Sequence, residues 1–264
     1  MTTPARVLAI GGSDSGGGAG VQADIKTIIA LGGYAATAVT AVTVQDTVRV
    51  HEVMAVPPAM VARQVAVVLD DIGADAVKTG MLGDAPTIMA VCDALAARGI
   101  GHLVVDPVLR PTGGGPALLA EAALGTLRAR LLPMTGVVTP NLAEAAALTG
   151  RDVTDLGGMI EAARALRDMG AAAALVTGGH LEGEMLTDVL LDATGYETFS
   201  APRIATRHTH GTGCTLASAV AVGLAQGLAL REAVMRARAF VRAAILAAPG
   251  FGAGHGPLGH ATCL

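Results

Sequence analysis

The sequence predicts an α/β fold: a doubly wound, mostly parallel central sheet flanked by helices, with an antiparallel hairpin at its edge. Three observations carry the prediction. Short Val/Ile/Leu runs alternate with amphipathic helical stretches along the chain, the pattern of strand–helix–strand units. Several runs, such as H-L-V-V-D at 102–106, are almost continuously apolar, as expected where helices cover both faces of a parallel sheet. Residues 184–200 break the alternation: E-M-L-T-D-V-L-L-D and Y-E-T-F-S flank A-T-G, which reads as the edge hairpin.

In order, residues 6–10 (R-V-L-A-I) form the first strand, then G-G-S-D-S-G-G-G-A-G leads into a helix from 21 to about 31. A strand at 36–44 follows. Residues 58–72 place Val61, Val65, Val68 and Ile72 at helical spacing, one buried face. A strand at 75–79 precedes a helix at 84–98, capped by Gly99. Strands at 102–106, 137–138 and 173–177 complete the parallel set. The last helix carries Leu230, Val234, Ala237, Val241 and Ile245 as its apolar stripe, with Arg231, Arg238 and Arg242 expected on the outer side. No linker, charge block or fixed-period repeat interrupts the chain, so 1–264 reads as one domain.

Composition excludes several function classes. The chain is 52% hydrophobic but only 2% aromatic, so its core is built from Ala, Val, Leu, Ile and Met. Net charge is −4 with 18 Lys and Arg, which lacks the basic footprint of a nucleic-acid binder. Cys92, Cys214 and Cys263 are odd in number and widely spaced, without C-x-x-C. A disulfide framework or zinc site is not expected, and a reducing cytoplasm is. Neither a leader-like start nor a long uncharged apolar run is present, so no membrane association is expected.

In open α/β sheets ligands bind beyond the carboxyl ends of the strands. Those positions hold Gly12, Ser13 and Asp14; Gln45 and Asp46; Thr79, Gly80 and Met81; Asp106, Pro107 and Val108; Thr139, Pro140, Asn141 and Glu144; and Gly178, Gly179 and His180. Polar and glycine residues thus gather at one edge of the sheet, a cleft that tolerates phosphate. There is no G-x-x-x-x-G-K-[ST], so this is not a P-loop protein. No apolar strand leads into Gly211, which removes the dinucleotide-fold reading of G-T-G-C-T-L-A.

That stretch poses the sharpest question. Gly211, Thr212 and Gly213 open a helix whose first backbone N–H groups and dipole suit an anion. Cys214 in its first turn is either a small buried apolar side chain or a thiol whose pKa the dipole lowers. Bland readings stand beside the other candidates too. Asp24 suits a helix dipole, Glu144 a helix cap, and Met81 plain core. His208 and His210 read as neutral turn histidines, since spacing supplies no third metal ligand. Cys92 and Cys263 carry no assigned role.

G-G-S-D-S-G-G-G-A-G-V-Q-A-D-I-K-T, V-K-T-G-M-L, V-V-D-P-V, V-T-P-N-L-A-E, G-G-H-L-E-G-E, T-H-G-T-G-C-T-L-A and G-H-G-P-L-G-H occur in this order. Together they resemble the hydroxymethylpyrimidine/phosphomethylpyrimidine kinases of thiamine biosynthesis, in the ribokinase-like superfamily, over essentially the whole chain. The resemblance implies use of ATP and Mg²⁺ to phosphorylate 4-amino-5-hydroxymethyl-2-methylpyrimidine and then its monophosphate. It implies that Gly211, Gly213 and Cys214 form the catalytic anion hole, with the thiol as base or proton relay. Gly12, Ala19, Asp24, Gln45, Met81 and Val108 would surround the pyrimidine. Asp106, Asn141, Glu144, Thr177, Gly179 and Thr212 would bind nucleotide, with Asp106 and Glu144 organising the metal. A homodimer is implied as well.

The chain departs from the family pattern in two places. It reads D-P-V-L-R-P-T-G-G-G where A-K-S-G-D usually follows D-P-V-M, and Thr177-Gly178-Gly179-His180 where K-G-G-H is usual. The stretches holding Thr112 and Thr177 thus lack two lysines that normally face the nucleotide phosphates; Arg110 is a nearby cation of different shape. His208 also stands where Asn is usual. These departures keep two alternatives open: a pyridoxine/pyridoxal-type kinase, and a pyrimidine-binding paralogue with weakened catalysis.

Overall fold

The computed structural model describes residues 3–109, 118–120, 122–179, 181 and 183–263; Arg110, Thr112 and His180 lie outside the described residues. Nine strands make one sheet: β1 Arg6–Ser13, β2 Tyr34–Gln45, β3 Val50–Ala55, β4 Ala76–Thr79, β5 Leu103–Val105, β6 Val137–Val138, β7 Ala173–Val176, β8 Met185–Asp192 and β9 Gly195–Pro202. Their spatial order is β3-β2-β1-β4-β5-β6-β7-β8-β9. From β2 to β7 neighbours run parallel, whereas β3, β8 and β9 pair antiparallel at the two edges.

The helices are α1 Gly20–Ala30, α2 Pro58–Asp71, α3 Ala85–Ala96, α4 Ala123–Thr126, α5 Leu142–Thr149, α6 Leu156–Asp168, α7 Thr212–Ala225 and α8 Leu230–Leu246. A π-helical turn, Leu127–Leu131, continues α4. Strand side chains alternate between faces, and both faces are covered. In β1, Leu8 and Ile10 join the core beneath α2, α3, α5 and α6, while Val7 and Ala9 join the core beneath α1, α7 and α8. Small side chains on α7, Ala217, Ala219 and Ala221, are fully buried there, which fits the aromatic-poor composition. Among the described residues no helix is long and apolar enough to cross a membrane.

The expected hairpin forms as β8 and β9 on the antiparallel edge. The opposite edge strand, β3, is missed by the sequence reading because only Val50 among its residues is buried, so no inward alternation marks it. A second correction concerns α8. Arg238 does not face outward: it pairs with buried Asp188 of β8 and lies 5.6 Å from the centroid of the Phe199 ring. Asp188 in turn accepts the Gly178 N–H at 2.8 Å, tying this pair to the turn after β7.

Candidate active site

The carboxyl ends of β1, β2, β4, β5, β6 and β7 and the start of α7 converge. Gly211 shapes the last of these. Its φ of +85° is left-handed, a conformation glycine adopts without penalty, and a Cβ there would collide with the Gly18 carbonyl oxygen. The turn can therefore press against the Gly-rich loop leading into α1. The N–H groups of the first turn, Gly213 and Cys214 among them, have no acceptor within the helix itself. They face the region where Asp106 sits: a Cβ on Gly213 would be 3.8 Å from both Asp106 oxygens.

Asp106, directly after β5, is 4% exposed. Its Oδ2 is buried with no hydrogen-bond partner, its nearest cation being Lys78 Nζ at 3.8 Å. The Cys214 thiol is the neighbour of this carboxylate, close enough for each to influence the other's protonation. Burial pushes the thiol above its usual range, and the Asp106 and Asp24 charges add to that against the opposing pull of Lys78. The expectation of a dipole-lowered thiol is thus corrected: two carboxylates and a desolvated setting outweigh half a charge at a helix end.

Glu144 is in place as a helix cap. It forms a capping box with Asn141, accepting the Asn141 N–H at 2.9 Å while Asn141 Oδ1 accepts the Glu144 N–H at 3.0 Å. Burial and then the Asp106 charge push its carboxyl up to about 8, so two carboxylates face each other across the ends of β5 and β6. Thr177 lies alongside Asn141 in a parallel bridge and donates its N–H to the Pro140 carbonyl at 2.9 Å. Gly179 is held through its carbonyl by Arg203 at 2.7 Å.

On the other side of the turn, Gly12 and Met81 adjoin, since a Cβ on Gly12 would meet the Met81 sulfur at 3.0 Å. Ala19 caps α1 and donates its N–H to Asp14 Oδ2 at 2.8 Å. Gln45, at the end of β2, reaches the His210 ring at 3.2 Å. Val108, partly exposed, folds back on Asp106 through its N–H at 2.8 Å, and Thr212 opens α7.

Asp24 is the exception. It is fully buried, with both oxygens on Lys78 at 2.9 and 3.1 Å and Ser218 donating to Oδ1 at 2.7 Å. It supports the site from below and has no open face for a ring, which corrects the expected substrate contact.

Two residues were under-read from sequence. His210 is no idle turn histidine: its Nε2 lies 2.9 Å from Asp14 Oδ2. Despite burial, that contact and the N–H groups of Ala19 and Gly16 hold Asp14 below the usual carboxylate range. Lys78, within V-K-T-G-M-L, is the other. Its one available signal was a lysine inside an apolar strand.

A doubly wound sheet with antiparallel edges, a glycine turn at a helix start and facing carboxylates at the strand ends define a ribokinase-like α/β protein. The family model described as phosphomethylpyrimidine kinase matches residues 14–259. A hydroxymethylpyrimidine/phosphomethylpyrimidine kinase of Streptomyces coelicolor is 47% identical over 99% of this chain and 96% of its own length. The thiamine biosynthesis bifunctional protein of Geobacter sulfurreducens is 48% identical over 96% of this chain, which spans 52% of that longer protein. Among solved structures, the ADP complex of Bacillus subtilis pyridoxal kinase matches with a TM-score of 0.91 and 35% identity, covering 98% of both chains. A Clostridium difficile phosphomethylpyrimidine kinase matches at 0.80 and 33% identity, covering 90% of this chain and 98% of the other. This chain belongs to the phosphomethylpyrimidine kinase family.

Proposed function

We propose that this chain transfers the terminal phosphoryl group of ATP to the hydroxymethyl oxygen of 4-amino-5-hydroxymethyl-2-methylpyrimidine. It then phosphorylates the resulting monophosphate to the diphosphate, as a cytoplasmic step in thiamine biosynthesis. The observation that carries the reading is the buried Asp106 carboxylate lying against the Gly211–Cys214 turn that opens α7, with a Cβ on Gly213 only 3.8 Å from both its oxygens. Phosphoryl transfer needs chiefly positioning and charge stabilisation. The N–H groups of the Gly211–Cys214 turn serve the transferring group's oxygens. The raised thiol is not a standing thiolate, so it acts as a relay: as the substrate hydroxyl gives its proton to Sγ, the S–H proton passes to Asp106. Gly12, Ala19, Gln45, Met81 and Val108 line the ring side; Asn141, Thr177, Gly179 and Thr212 line the nucleotide side.

The donor set fits Mg²⁺. Asp106 offers a buried oxygen without a hydrogen-bond partner, and Glu144, whose carboxyl burial and then the Asp106 charge push up, stands across from it. Among the described residues no group of three His, Cys, Asp or Glu could hold a metal alone, which suits an ion that takes one or two carboxylates plus phosphate oxygens. Asp106 and Glu144 would hold it, and it would neutralise charge on the phosphates.

A second reading, a pyridoxal-type kinase, is favoured by the greater structural similarity to pyridoxal kinase. Mass analysis of products separates the two when ATP and Mg²⁺ are offered with hydroxymethylpyrimidine, its monophosphate or pyridoxal. Mono- and diphosphates of the pyrimidine are expected. Pyridoxal phosphate alone would move the enzyme to the second reading, and no product from any acceptor would overturn both. We also propose a homodimer through the exposed Val42, Val44, Val53 and Met54 of β2 and β3; a monomer mass by light scattering would reject it.

A further inference from the structure

Beneath the catalytic turn lies a charged group that the phosphoryl-transfer chemistry does not itself require. Lys78 projects from β4 toward the α1–α7 face of the sheet and is fully buried. Its Nζ donates to both oxygens of Asp24 on α1 and stands 3.8 Å from Asp106 Oδ2 after β5. Asp24 is also bound by Ser218 of α7. Ser218 follows Cys214 by four residues, one turn further along the same helical face. Four segments therefore meet at one ammonium group. The fit is close: a Cβ on Gly80 would come within 2.9 Å of Lys78 Nζ.

Buried ion pairs are poor stabilisers, because desolvation offsets most of their attraction and apolar pairs of similar volume often replace them without loss. A role in stability alone therefore accounts weakly for a lysine and an aspartate at the centre of an apolar sheet. The arrangement instead fixes geometry. Asp24 grips α7 through Ser218, Lys78 grips Asp24, and Lys78 also attracts the Asp106 oxygen that has no other partner.

We infer that Lys78, acting through Asp24 and Ser218, is a positioning residue that registers the start of α7 against the end of β5, holding Cys214 beside the Asp106 carboxylate. This rests on the phosphoryl-transfer reading above. It assigns to the V-K-T-G segment a place in the reaction that involves no contact with either substrate.

The test uses the full-length protein and reads kcat, KM and melting temperature in four forms: parent, Lys78→Met, the double variant Lys78→Met/Asp24→Asn, and Ser218→Ala. Lys78→Met leaves Asp24 buried and unpaired and is expected to lower the melting temperature sharply. The double variant removes both charges together and should regain most of that temperature. Its kcat should remain about 100-fold below parent, since small misplacements of reacting groups cost that much, with KM for ATP and the pyrimidine within about threefold of parent. Ser218→Ala, which loses one hydrogen bond, should fold and lose about tenfold in kcat. Recovery of kcat together with melting temperature in the double variant would show a merely structural pair and overturn the inference. So would an unchanged kcat in Ser218→Ala, which decides the matter even if the double variant does not fold. Absence of product from the parent would instead overturn the functional reading itself.

Discussion

Cys214 shows how a single side chain is governed by competing fields. The helix start favours a thiolate, and so does the nearby Lys78 ammonium. Burial and two carboxylates act the other way and prevail. The thiol should therefore react sluggishly with iodoacetamide near pH 8, more slowly than free cysteine, and peptide mass mapping can read Cys214 separately from the other cysteines. Fast alkylation at that pH would reverse the direction assigned here. Replacing the thiol by Ala removes the relay but leaves the glycine turn, so kcat should fall by about 10²–10³-fold while pyrimidine affinity, measured by calorimetry, changes little. Unchanged turnover would take the thiol out of the mechanism.

The helix α5 joins a structural task to a chemical one in its first turn. Glu144 closes the capping box with Asn141, and its carboxyl, pushed up to about 8 by burial and by Asp106, resists being charged. Glu144→Gln keeps an oxygen that can accept the Asn141 N–H and removes the buried charge. Melting temperature should hold or rise, whereas KM for Mg²⁺-ATP should rise about tenfold or more, as expected on losing one of two carboxylates for the ion. Asn141→Ala is the contrast: loss of the cap should lower stability by about 1 kcal/mol. If Glu144→Gln left the kinetics untouched, the acid would be a cap and nothing else.

Such elements also show what a sequence can disclose. The parallel strands announce themselves because both faces are buried, and Asp84 and Asn141 mark helix starts through side chains that accept first-turn N–H groups. β3 gives no such sign, because an edge strand with one buried residue has no apolar face to alternate. Among site residues, those at strand ends were legible because the fold places ligands there. Asp24 was misplaced because helix periodicity does not say which polar residue faces a buried lysine 54 positions away. Asp188 and Arg238 escaped for the same reason: pairing across 50 residues is a property of the assembled layers.

The whole molecule closes on itself at the catalytic turn. The last 3₁₀ turn, His260–Cys263, comes back to α7, where Thr215, next to Cys214, meets His260 Nε2 at 2.9 Å. Burial, and then the charge of Lys26, lower this histidine from 6.5 to about 4. Between those values the unfolded chain binds the proton and the folded chain does not, so stability rises with pH across the window. The contribution is complete above about pH 6.5 and is lost as pH falls to about 4, amounting to about 3 kcal/mol at most. Glu144 works with the opposite sign: its raised carboxyl favours the fold at low pH and weakens it as pH climbs from 4.5 toward 8. The parent's own melting curve therefore mixes the two, and the informative quantity is a difference. His260→Gln keeps a polar partner for Thr215 but cannot take up a proton. Melting temperatures of the two proteins, without ligands, should converge as pH falls from about 7 to about 4.5, the parent losing roughly 5–10 °C more than the variant. Parallel profiles would mean that the tail is held at α7 by packing alone, and that the imidazole there is not the group that titrates.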